Sequence, residues 1–177
     1  MHVSILSIGS FLGRLCSGVG SDLIAKKLHA SRVWCLTISS LLFLLAQSSA
    51  MTITNPRLLF IVSSLTGSGY GFLFGVFPSI VAEAFGVHGL SQNWGTLTLA
   101  PVISGNVFNL FYGMVYDKHS KEAEEGHLIC DEGLDCYRNA YVVTIVSCVL
   151  AVGISLWCIR HAWVRKERER LAEERRA

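Results

Sequence analysis

The chain has 177 residues, of which 51% are hydrophobic and only 16% carry a formal charge, for a net charge of +2. Soluble domains place charge on about a quarter of their residues, so this composition, with a mean hydropathy of +0.47, excludes an ordinary soluble fold and makes a lipid bilayer the expected partner. The 13 acidic residues are also unevenly spread, since all but Asp22 and Glu83 follow position 116.

Taken in chain order, the first apolar stretch covers residues 1–25 and contains two charges, Arg14 and Asp22. It has neither the basic start nor the small-residue cleavage site of a secretory signal. Lys26, Lys27 and Arg32 follow in a burst, and from there to Arg57 the sequence has no charge, which predicts a second span over 33–51. A third span is predicted over 58–83, because the run from Leu58 to Ala82 is again uncharged and a helix needs roughly 20 residues to cross the hydrocarbon. Two further spans are predicted over 93–116 and 139–159, separated by a polar loop at 117–138, and a charged tail occupies 161–177. In hydrocarbon the backbone must satisfy its own hydrogen bonds, which a helix does within one segment. The expected fold class is therefore all-α, a polytopic transmembrane bundle of about five helices filling residues 1–160.

Lys and Arg in short loops accumulate on the cytoplasmic side. One side collects Lys26, Lys27, Arg32, Arg160, Arg165, Lys166, Arg168, Arg170, Arg175 and Arg176, ten of the 15 basic residues; the other holds Arg57, Lys118, Lys121 and Arg138. This predicts a cytoplasmic C-terminus and a non-cytoplasmic 117–138 loop. In that loop Cys130 and Cys136 flank "DEGLD", where an oxidising compartment lets a disulfide persist; a bridge is the expectation, with free or separately modified thiols as the alternative. Glu122, Glu124, Glu125, Asp131, Glu132 and Asp135 match no calcium-loop spacing, so a solvated loop is expected there. The other cysteines, Cys16, Cys35, Cys148 and Cys158, fall in apolar spans and read as small packing residues.

Charges inside a span are costly and call for a partner, a watery cavity or an escape to the interface. Gly18 and Asp22 are four apart and share a helix face, the glycine removing bulk so that a neighbour can approach. An acid at the end of its own helix suits the positive N-terminus of an antiparallel neighbour starting on the same side; the expected neighbour is the span beginning near Trp94. Glu83, at the same end of the bundle, is expected either to join this contact or to meet water. Arg14 sits at mid-depth, where a guanidinium can hold a carboxylate bidentately or else pair with a neighbouring helix. Asn106 and Asn109, three apart on one face, need partners across helices or along a water-filled path. Gly67, Gly69, Gly71 and Gly75, with Pro78, read as close-packing positions, and His88, Trp94, Tyr112 and Tyr116 as interfacial rings.

Gly18, Asp22, Lys26 and Lys27 resemble the signature loop of the major facilitator superfamily, although Leu23 stands where that family usually has a base and Ala25 where it usually has glycine. The stretches "GSGYGFLFGVFPSIVAEAFG", "GLSQNWGTLTLAPVISGNVFNLFYGMVYD" and "CYRNAYVVT" resemble a fungal nodulin-like, monocarboxylate-permease-like branch over nearly the whole chain up to the tail. The resemblance implies helices eight to twelve of a twelve-helix transporter that moves a small-molecule solute by alternating access. It gives Gly18, Asp22, Lys26, Lys27 and Glu83 the part of a cytoplasmic latch, places Arg14, Asn106 and Asn109 along the path, and makes the missing N-terminal helices of the same transporter the expected partner. The expected reading of Met1 is an internal methionine of a longer protein.

No HExxH, GxSxG, phosphate loop or paired Cys-x-x-C occurs, and the histidines His2, His29, His88, His119, His127 and His161 are scattered. The protein is therefore not expected to be an enzyme, to bind a cofactor or metal, or to bind nucleic acid. The tail reads as a solvated helix whose base-rich start can touch anionic lipid. The competing reading is a non-transporting scaffold or regulatory partner. Plasma or vacuolar membrane, the solute and the coupling ion stay open.

Overall fold

The computed structural model describes residues 1–27, 31–53, 55–122, 128–130 and 135–175. Glu124, Glu125, Asp131 and Glu132 of the acidic loop lie outside the described residues, as do His29, His127 and Arg176. Five long helices carry the chain: α1 (His2–Lys27), α2 (Val33–Thr52), α3 (Leu59–Phe85), α4 (Leu90–His119) and α5 (Asp135–Glu174). A single 3₁₀ turn, Pro56–Leu58, precedes α3. A minimal antiparallel ribbon of two-residue strands, β1 (Lys121–Glu122) and β2 (Leu128–Ile129), precedes α5. All five helices are long and apolar enough to cross a membrane, and the chain is a multi-pass integral membrane protein.

The helices persist because each supplies its own backbone hydrogen bonds, and their hydroxyls are absorbed the same way. Ser17 donates to the Arg14 carbonyl, Ser21 to Gly18, Ser40 to Leu36 and Ser147 to Val143. Each bond satisfies a polar group on its own helix rather than exposing it to hydrocarbon. α3 stops at Gly86, whose φ of 76° is a left-handed conformation that glycine adopts without the Cβ penalty, while its N–H still bonds the Ala82 carbonyl at 2.9 Å. At the far end of α4, Ser120 Oγ donates to the Tyr116 carbonyl at 2.7 Å, and His119 Nδ1 lies 2.9 Å from the Val115 carbonyl.

α3 is the hub. It packs against α1 on one side and α2 on another, while α1 and α2, though joined by a short loop, touch each other only weakly. α2 packs on α5, α5 on α4, and α4 returns to α3. The α1–α3 seam is built from small residues: every buried residue of α1 is Gly9, Ser10, Gly13, Ser17 or Ser21. A Cβ on Gly67 would strike the Leu6 backbone, one on Gly71 would strike the Ser10 carbonyl, and one on Gly75 would strike the Ser17 hydroxyl. Between helices in lipid there is little hydrophobic driving force, so affinity comes from close van der Waals approach. Gly67, Gly71 and Gly75, one turn apart, allow that approach along three turns. Gly69 faces elsewhere, against Leu42 and Phe43 of α2, and its carbonyl accepts a 2.7 Å hydrogen bond from Ser39.

Two side-chain bonds tie α2 to α5: Thr37 Oγ1 to Ser155 Oγ at 3.1 Å and Thr144 Oγ1 to Gln47 Oε1 at 3.3 Å. At the opposite end of α5 from its tail, Tyr137 stacks on Tyr112 and on Tyr116, with ring centroids 5.3 and 5.5 Å apart. The Cys130–Cys136 disulfide is present beside this stack, and Cys136 is buried. α4 has no buried residue.

The seam gives a direct expectation. Gly71→Val forces a branched side chain into backbone and should cost about 2–3 kcal/mol, read as a lower midpoint in denaturing-detergent titration of the purified protein. Gly113→Ala, where a Cβ meets nothing within 4 Å, should leave that midpoint unchanged.

Candidate functional site

The α1–α3 seam runs parallel with a constant offset. His2 Nδ1 meets Ser63 Oγ at 3.0 Å across a separation of 61 residues, and the contacts Leu6 to Gly67, Ser10 to Gly71 and Arg14 to Gly75 repeat it. Continued along both helices, the same offset sets Asp22 beside Glu83. Two carboxylates brought level in this way would repel each other.

Arg32 resolves the repulsion. Its Nη1 lies 2.9 Å from Asp22 Oδ1 and its Nε 2.6 Å from Glu83 Oε1. The guanidinium side chain is 19% exposed, whereas those of Asp22 and Glu83 are 54% and 55% exposed, so the cation is enclosed and the acids reach solvent. Arg32 is the residue capping α2. Its backbone is held by Ser31, whose hydroxyl accepts the Val33 N–H at 3.3 Å and whose carbonyl accepts the Trp34 N–H at 3.2 Å. The arginine therefore staples the ends of three helices together, with Asp22 from α1, Glu83 from α3 and its own position at the start of α2.

This geometry changes the sequence reading in two respects. The helix start that receives Asp22 is that of α2, not of the helix containing Trp94; Trp94 packs instead on Phe74 and Phe77 of α3, at 6.5 and 6.1 Å between centroids. Gly18 has no neighbour within 4 Å of a would-be Cβ, so the close approach runs through Gly9 and Gly13 on α1. Lys26 and Lys27 end α1 in exposed positions. In the sequence Arg32 stands out only as one loop base alongside Lys26 and Lys27. The signal that could have singled it out was its place between two acids at the same end of an alternating bundle.

Arg14 lies near the middle of α1, exposed, in a groove of about 370 Å³ lined by Leu6, Ser7, Ser10, Phe11 and Tyr70. A cation, a phenol and two serines around one opening form a donor set suited to an anion. Asn106 and Asn109 are both exposed on α4, and the Asn106 amide donates to the Val102 carbonyl of its own helix at 2.8 Å. α4 packs on α5 and α3, whereas α1 packs on α3, so no packed seam brings Asn106 and Asn109 to Arg14. Between α3 and α4 lies a separate, apolar cavity of about 180 Å³ walled by Phe74, Phe77, Trp94, Leu97 and Pro101. Among the described residues no three His, Cys, Asp or Glu side chains converge as metal ligands.

The chain is similar to an uncharacterized membrane protein of Saccharomyces cerevisiae, with 34% identity over 178 residues covering 94% of this chain and 32% of the relative. It is also similar to the probable transporter mch1 of Neurospora crassa, 28% identical over 93% of this chain and 31% of the relative. The probable transporter MCH1 of Candida albicans is 29% identical over 90% of this chain and 32% of the relative. The chain thus spans about a third of the length of these curated relatives. No family model matches, and no solved structure matches.

Arg32 is the member of the cluster whose loss should be most visible. Exposed ion pairs contribute about 0.2–1 kcal/mol each, and Arg32→Gln removes two and leaves the carboxylates facing each other. The expected cost is about 1–2 kcal/mol in unfolding, and adding Asp22→Asn to Arg32→Gln should recover part of it in a double-mutant cycle.

Proposed function

We propose that this chain is part of a secondary transporter of the major facilitator type, contributing helices eight to twelve to a bundle that alternates access to a small solute. The observation that carries the reading is the Asp22–Arg32–Glu83 cluster closing one end of a glycine-lined, parallel helix seam. An ionic staple at the mouth of a bundle suits a gate: it is strong enough to hold one arrangement of the helix ends, yet sits where water can compete for its half-exposed acids. Relatives named as probable transporters support the same reading.

In this scheme the stapled end faces the cytosol together with the C-terminus, as the excess of Lys and Arg on that side favours, and the disulfide-bearing connector faces the opposite compartment. Arg14 is the selectivity residue. Its guanidinium in the Ser10–Tyr70 groove favours a solute bearing a carboxylate, with Asn106 and Asn109 lining the path from α4. Binding across the interface with the remaining helices fits a family in which the substrate path lies between two halves.

The staple is tested by uptake in the full-length protein. Asp22→Asn should change the transport rate about fivefold or more, the effect expected of a coupling energy of about 1 kcal/mol, while thermal stability changes little; unchanged kinetics would remove the gate from the scheme. Arg14→Gln should raise KM for a carboxylate solute about tenfold or more, from the loss of a charge-assisted hydrogen bond of about 1.5 kcal/mol. Arg14→Lys should recover only part of that loss, because the ammonium lacks the planar fork.

A further inference from the structure

α5 is one continuous helix of 40 residues, about 60 Å long at 1.5 Å per residue and twice the roughly 30 Å hydrocarbon core. Its uncharged run from Asn139 to Ile159 covers that core by itself. Arg160 therefore falls at the boundary, and the helix beyond it projects past the hydrocarbon.

The charges beyond that boundary fall into two zones. The first holds Arg160, His161, Arg165 and Lys166 with no acid, and the second holds Glu167, Arg168, Glu169, Arg170, Glu173, Glu174, Arg175 and Arg176, four of each sign. The second zone pairs with itself: Arg170 lies 2.9 Å from Glu167 and 3.8 Å from Glu174. In the first, Arg160 has no acid within four residues on either side, while Glu169 stands four residues beyond Arg165 and three beyond Lys166.

The angular placement of the first zone decides what it fits. At about 100° per residue, positions 165 and 166 stand roughly 140° and 240° round the helix from position 160, so the three backbone positions are spread round the axis. A protein partner docking on this helix would be met by bases on one side. Trp157 and Trp163, 67% and 66% exposed, are also splayed, about 120° apart, with the indole of Trp157 5.7 Å from the His161 ring. Exposed indoles on two sides together with bases at positions spread round the axis match a headgroup layer that surrounds the helix.

We infer that Arg160, Arg165 and Lys166 form a collar that binds the phosphate groups of anionic phospholipids around α5, with Trp157 and Trp163 seated at the same level, and that the self-paired distal zone takes no part. The collar rests on the membrane crossing of α5 and not on transport.

The test uses the purified full chain in phosphatidylcholine bilayers with trace spin-labelled lipid. The motionally restricted fraction of spin-labelled phosphatidylserine should exceed that of phosphatidylcholine, with a relative association of about fivefold. Arg160→Gln/Arg165→Gln/Lys166→Gln should bring it below about twofold, the remainder coming from Lys26 and Lys27 at the same end of the bundle. Arg168→Gln/Arg170→Gln/Arg175→Gln should keep the wild-type value, and so should Arg160→Lys/Arg165→Lys. If the collar variant does not fold, wild-type protein in about 1 M salt serves instead, because screening at a Debye length of about 3 Å should abolish the preference. No preference in the wild type, a preference retained by the collar variant, an equal loss in the distal variant, or indifference to salt would each overturn the collar.

Discussion

The close approach of α1 to α3 is the constraint from which the rest of this structure follows. In lipid a helix gains nothing by hiding leucine from its surroundings, because the surroundings are as apolar as leucine. Contact must be won by bringing backbones together, and Gly67, Gly71 and Gly75 on α3 against Gly9, Gly13 and Ser17 on α1 do this over three turns. A seam this tight admits one register, and the register determines which polar groups meet at its ends.

The ionic cluster is one outcome of that register. Asp22 and Glu83 are not neighbours by virtue of their own chemistry; they are placed level by glycines several turns away, and the repulsion this creates is answered by Arg32. Packing in the membrane and charge at its edge are thus a single problem. Arg32, at the start of α2, supplies the cation at that height.

The span count and the all-helical class were legible in the sequence because bilayer thickness imposes a length and hydrocarbon forbids unpaired backbone. These constraints act on any chain, so composition and run length reveal them. The glycine-rich character of α3 was legible too, but not its phase. Spacing shows that Gly67, Gly71 and Gly75 share a face and that Gly69 does not, yet not that the first face meets α1 and the second α2. The same limit explains Gly18, whose spacing to Asp22 suggested a contact surface and whose surroundings are open. Arg32 was visible as a charge but not as a bridge, since its role depends on how the start of α2 sits against the ends of α1 and α3. For Arg14, Asn106 and Asn109, polarity within an apolar run marked positions of interest, while their mutual distance depends on helix order around α3, which no local pattern encodes.

The two bonds between α2 and α5 have a mechanical consequence. Thr37 and Gln47 are ten residues apart on one helix, and their partners Ser155 and Thr144 are eleven apart on the other, so both rungs close only when the helices sit in one axial alignment. A slip of a single residue, about 1.5 Å, would break both at once. α2 and α5 are thereby pinned into one plank. The boundary of α3 with α4 has no such rungs: Trp94 meets Phe74 and Phe77 beside an apolar cavity, and no residue of α4 is buried. Of the two boundaries, the one between α3 and α4 is the less constrained against sliding.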